Sequence, residues 1–256
     1  MKSTVPIAVL LVLSAHSQAA LVTNWTERLG LTPVSGLDTA SPTLGDNTAN
    51  SADTMSIYAS MPTVTLANVG DSVTLSGSAT LSGMATIGTL QNQFRWGLYD
   101  VNGSIDDTGW LGYFGNNGHN TVGGALNERA SGNTSWYMVT GASAPSIGTA
   151  SVPGTAFTDG TYNLLLTLER TAAGIQIDGS IIRASDSKQF GLISFEDTTP
   201  ETYSFNRVGF LNGNNLDLDR VLFSTIDVTF MAVPEPSAAA LGLLGAAGLL
   251  LRRRQR

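Results

Sequence analysis

The chain has 256 residues, no cysteine and 42% hydrophobic residues, so it can build a large apolar core but has neither disulfides nor thiolate chemistry. Its 13 Lys and Arg against 20 Asp and Glu give a net charge of -7; between residues 20 and 232 the balance is 8 against 19, a net of 8 minus 19, or -11. That stretch has Lys188 as its single lysine and no basic stripe able to displace counterions from a phosphate backbone, which excludes nucleic acid and anionic membrane surfaces as partners.

From the N-terminus, Lys2 precedes an apolar run at 5–13 broken only by Pro6, and Ser17-Gln18-Ala19 places small residues at the minus three and minus one positions of a cleavage site. This predicts a secretory signal peptide over 1–19, too short in its apolar part to remain as an anchor. A loop rich in Gly, Asn and Asp follows at 32–53. Next, Met55, Ile57 and Ala59, then Val64 and Leu66, then Val73, Leu75, Ala79 and Leu81 alternate with polar residues at a period of two. Further strand patterns occupy 94–101, 110–114, 135–139, 162–170, 174–182, 190–195, 203–211 and 221–230, with reversals expected at Asn102-Gly103 and Ala173-Gly174. Segments 115–134 (Asn and Gly) and 141–160 (Ala, Ser, Pro, Thr and Gly) read as long loops. No segment in this region has a convincing helical period. Residues 20–232 are therefore predicted as one all-β domain, a β-sandwich.

Several chemistries fall away. His119 is the one histidine beyond the leader and there is no G-x-S-x-G, which leaves no nucleophilic triad and no His or Cys metal cluster. No two glycines lie two residues apart, so no G-x-G phosphate cradle exists. A glycosidase needs two carboxyls facing one cleft. Glu196 and Asp197 are adjacent and point to opposite faces of a strand, Glu201 follows Pro200 in a turn, and Asp217 and Asp219, although correctly spaced, follow a turn-like Asn-Gly run. No cofactor is implied. The oxygen-rich stretch 100–107, Asp100-Val101-Asn102-Gly103-Ser104-Ile105-Asp106-Asp107, suits either a structural calcium or a hairpin turn at Asn102-Gly103. Trp110, Tyr113, Trp136 and Tyr137 surround the Asn-Gly loop that holds His119, a composition a saccharide site uses: apolar ring faces plus directed hydrogen bonds. The same rings would equally fill a sandwich core.

The tail decides the destination. After Pro234-Glu235-Pro236 comes an uncharged run of Ala, Leu and Gly at 237–251, then Arg252, Arg253, Arg254 and Arg256. Fifteen helical residues span roughly 22 Å, short of a roughly 30 Å hydrocarbon core, so this expected transmembrane helix depends on the arginines, which hold their end in the cytoplasm. Tripeptide, apolar span and terminal arginines over 233–256 resemble the PEP-CTERM sorting signal of Gram-negative bacteria. That resemblance implies an exosortase as partner, transient anchoring in the inner membrane, cutting near Pro234, Glu235 and Pro236, and delivery to the cell envelope or exopolysaccharide matrix.

Segments 162–179 (Tyr162 to Arg170, then Gly174 to Gly179) and 205–223 resemble the long hairpin and closing strands of concanavalin A-like jelly rolls. That family contains lectin-like and laminin G-like binding modules, glycoside hydrolases and polysaccharide lyases. The expectation is an exported, non-catalytic envelope or matrix protein that binds polysaccharide, with an extracellular glycan-cleaving enzyme on the same fold as the rival.

Overall fold

The structure is a computed structural model that describes residues 16–29, 35–44, 55–83, 93–118, 124–132, 134–139, 144–149, 157–212 and 219–234. Within them the secondary structure is all β, in two antiparallel sheets packed face to face. The first sheet holds β1 (His16–Leu21), β3 (Thr43–Leu44), β5 (Ser72–Ser82), β10 (Gly160–Arg170), β11 (Ile175–Arg183), β12 (Gln189–Asp197) and β14 (Arg220–Ala232), in the order β1-β14-β5-β10-β11-β12 with β3 also on β14. The second holds β2 (Trp25–Leu29), β4 (Met55–Thr65), β6 (Gln93–Asp100), β7 (Leu111–Gly118), β8 (Ala125–Arg129), β9 (Ser146–Thr149) and β13 (Ser204–Asn212), in the order β2-β4-β13-β6-β7-β8-β9.

The period of two explains the first sheet. On β10, Tyr162, Leu164, Leu166 and Leu168 point inward while Asn163, Leu165 and Glu169 face solvent. Leu166 stands opposite Leu75 of β5, and Leu168 opposite Ile177 of β11, so neighbouring strands present one continuous apolar face. From the second sheet, Phe94, Trp96 and Leu98 of β6, Tyr113 of β7 and Phe205, Val208 and Phe210 of β13 close on it. Phe210 meets Phe223 of β14 at 4.4 Å between ring centroids.

The second sheet is buried on both faces. Tyr99, three residues beyond Trp96 and therefore on the other side of β6, belongs to a separate cluster with Trp110, Phe114, Tyr137, Met138, Ala144 and Leu211. This is the main departure from the sequence reading. Segment 135–139 is a bend followed by a turn rather than a strand, because its side chains cap the outer face of the second sheet instead of joining a ladder. The segments expected as loops contain β8 and β9, and β7 runs on to Gly118. Asn102 and Gly103, at φ of 47° and 70°, do form a turn, but inside a longer connection between β6 and β7.

β1 straddles the predicted cleavage point after Ala19. Ser17 to Leu21 are exposed throughout, so β1 adds a backbone ladder to the edge of β14 and buries none of those side chains. β14 ends at Ala232, and the predicted transmembrane span lies outside the described residues. Among the described residues no helix is long and apolar enough to cross a membrane.

Candidate functional site, the outer face of the second sheet

The outer cluster is assembled from rings. Tyr137 lies 5.2 Å from Tyr99 and 5.3 Å from Trp110 between centroids, and Trp110 meets Tyr58 edge-on at 5.0 Å. Tyr137 can approach this closely because Gly209 lies beneath it: a Cβ there would stand 2.3 Å from the ring. Its hydroxyl donates to the Ile57 carbonyl at 2.7 Å and pairs with the Ser56 hydroxyl, and burial keeps it protonated far above the usual phenol range.

Arg129, at the end of β8, holds the cover in place. It is fully buried, and its guanidinium donates to the carbonyls of Trp110 (3.0 Å), Trp136 (2.7 Å), Thr108 (2.8 Å), Ser135 (2.9 Å) and Asp107 (3.4 Å). The planar fork of five donors suits this ring of acceptors, which ties the 101–110 connection to the 134–139 segment. Burial lowers the Arg129 pKa, opposed by the nearby Tyr99 and Asp107. Asp107 in turn accepts from Arg28 Nε at 2.7 Å.

The candidate saccharide residues are thereby separated. Trp110 and Tyr137 are buried inside the outer cluster, and Tyr113 points the opposite way, into the core between the sheets. Trp136 alone of the described four is half-buried, at the rim against Tyr137 (6.2 Å). An enclosed ring has no face for a sugar to stack on, so the described part of the aromatic rim narrows to Trp136. His119 lies outside the described residues.

A second constellation sits between the sheets at one end. Tyr113 donates to Asp197 Oδ2 at 2.6 Å, and Glu128 accepts from the Glu201 backbone at 2.9 Å while its carboxyl also reaches Tyr113 and Asp197. Burial, aided by the Asp197 charge, raises Glu128 to about 7. The alternation on β8 carried the clue, since Glu128 shares a face with the core residue Leu126. Its partner, 69 positions along the chain, carried none. Asp197 is buried while Glu196, on the opposite face of β12, is exposed. Asp219 is exposed and Asp217 lies outside the described residues.

The oxygens of 100–107 are used separately. Asp100 accepts from Asn102, Thr202 and Asn206, Asp106 from Ser104 and Thr108, and Asp107 from Arg28. They do not converge, and the described residues contain no group of three or more His, Asp or Glu placed to hold a metal ion.

Beyond β14, Val233 is fixed to the sandwich: its N–H donates to Asp71 Oδ1 at 2.8 Å, and Asp71 Oδ2 accepts from Asn68 at 2.8 Å. Residues 232–255 match the model of the PEP-CTERM protein-sorting motif. The chain carries a PEP-CTERM sorting motif. Of that motif Ala232, Val233 and Pro234 are described; Glu235, Pro236, Arg252, Arg253 and Arg254, and Arg256 just beyond the match, lie outside the described residues. No curated protein matches the chain in sequence.

The fold of the chain is a concanavalin A-like β-sandwich. It is similar to winged bean acidic lectin complexed with methyl-alpha-D-galactose (TM-score 0.53, 8% identity, covering 87% of this chain and 100% of the lectin). It is similar also to lectin II from Ulex europaeus (0.51, 11%, 84% and 98%) and to the Emp47p carbohydrate recognition domain (0.51, 13%, 85% and 95%).

Proposed function

We propose that this chain is an exported, non-catalytic PEP-CTERM protein that an exosortase delivers to the envelope or extracellular matrix of a Gram-negative bacterium, where its sandwich binds polysaccharide. The supporting observation is the direct fusion of a sorting motif at 232–255 to a sandwich whose solved relatives are named as lectins. A signal peptide over 1–19 takes the chain out, 20–232 is the working domain, and 233–256 is removed. Trp136 is the ring offered to the glycan, with the polar side chains of the 101–110 connection and of Thr134 and Ser135 beside it supplying hydrogen bonds. A cleaving enzyme would need two carboxyls open to a cleft, whereas Glu128 and Asp197 are enclosed between the sheets.

Mass spectrometry of the native protein tests sorting: an N-terminus near Ala20 and loss of the segment beyond Pro236 are expected, and an intact tail in mature envelope material overturns the reading. A glycan array and a reducing-sugar assay on the domain spanning 20–232 test the rest. Binding without new reducing ends is expected, and new reducing ends would make it an enzyme.

A further inference from the structure

Both chain ends leave the sandwich at one place. β1 and β14 run antiparallel with His16 opposite Ala232, so the chain enters β1 and leaves β14 at the same end of the first sheet. The register places the connections at 66–71, 101–110, 171–174 and 198–203 at that end too. Met231 pairs with Ser72, Ser72 with Glu169, Arg170 with Ile175, Ile175 with Asp197, and Ser204 with Thr65.

Among the described residues the two ends of the sandwich differ in chemistry. Of the seven large hydrophobic residues exposed among the described residues, Val69, Ile105, Met231 and Val233 sit at this end, and none sits at the other. The far end, where β11 turns into β12 and β14 begins, exposes Asp159, Asp186, Lys188, Asp219 and Arg220. The exit point is also rigid. Asp71 fixes the backbone of Val233, and the Val233 side chain packs on Gly70, beside Val69. Three residues, Pro234, Glu235 and Pro236, separate this anchored position from Ser237, and the four Cα steps between Val233 and Ser237 reach at most about 14 Å in any conformation.

We propose that the unprocessed protein stands end-on upon the lipid bilayer, with Val69 and Ile105 at the tips of the 66–71 and 101–110 connections resting in the headgroup region. This rests on the reading of 237–251 as a membrane span. A tether of at most about 14 Å from a fixed exit point keeps this end of the sandwich at the membrane surface, and the apolar tips beside the exit favour the end-on contact. The contact is apolar rather than electrostatic, because the charged groups exposed at this end include Asp106, Glu196 and Glu201 and would be repelled by anionic lipid. Two isolated aliphatic tips bind a bilayer weakly by themselves, so removal of the tail frees the sandwich.

The chain has no cysteine, so single fluorophores can be placed cleanly by Val69→Cys, Ile105→Cys and, at the far end, Lys188→Cys. Each full-length variant is reconstituted into phosphatidylethanolamine and phosphatidylglycerol vesicles that contain a headgroup spin-labelled lipid. Quenching several-fold stronger at positions 69 and 105 than at 188 is expected. Equal quenching, or stronger quenching at 188, in protein that floats with the vesicles overturns the orientation alone. Full-length protein that does not float with vesicles overturns the membrane span, and the orientation with it.

Discussion

Tyr113 on β7 donates its hydroxyl to Asp197 at the end of β12 at 2.6 Å, joining the two sheets where the chain crosses between them. Glu128 completes the contact, and two carboxyls this close cannot both ionise without mutual repulsion in a desolvated site. The folded pKa of Glu128, about 7, lies above the 4.5 of an ordinary glutamate. Its contribution to stability is therefore full below about 4.5 and is lost as pH rises through about 7. Thermal melts should show a lower Tm at pH 8 than at pH 5, and Glu128→Gln should flatten that difference. An equally steep profile in the variant would assign the effect to another group.

Arg129→Met should cost about 3–5 kcal/mol, since it leaves a ring of buried carbonyls without donors. Arg129→Lys keeps the charge but offers three donors in place of the planar fork, so it should recover less than half of the loss. Urea melts measure both, and limited proteolysis should find the new cuts in 101–110 and 134–139.

Trp110→Ala removes a ring from the middle of the outer cluster and should cost about 3–5 kcal/mol, read as a large drop in Tm. Trp136→Ala removes a half-buried ring and should cost about 1 kcal/mol while lowering glycan retention in a pull-down. Unchanged retention would move the ligand site away from Trp136.

Cleavage after Ala19 removes four of the six residues of β1. Ordering them costs about 1–2 kcal/mol each, while each backbone hydrogen bond returns about 0.5–1.5 kcal/mol and Ser17, Gln18 and Ala19 bury no side chain, so the two terms nearly cancel. A domain beginning at Ala20 should melt within a few degrees of one beginning at His16 in matched differential scanning calorimetry.

Replacing Arg252, Arg253, Arg254 and Arg256 with neutral residues removes the flank of a span already shorter than the bilayer core. The precursor should lose its fixed topology and accumulate uncut, which pulse-chase labelling of the envelope fraction measures. Processing at the normal rate would show that positive charge does not hold the tail.

What the amino-acid order determined by itself is what depends on neighbours along the chain. The alternation at Tyr162, Leu164, Leu166 and Leu168 dictates a strand with one apolar face, because side chains of an extended backbone alternate sides. The sorting motif is legible for the same reason, as tripeptide, apolar run and arginines are contiguous. The tertiary structure alone decided which aromatics were enclosed. Trp110 and Tyr137 have the sequence surroundings of a solvent-facing rim, and they are buried because Arg129 gathers carbonyls from two separate segments, 101–110 and 134–139, and folds them over the outer face of the second sheet. Glu128 and Asp197 meet only once β8 and β12 are brought to the same end of facing sheets. Contacts of that kind are set by sheet order and register, which no local pattern encodes.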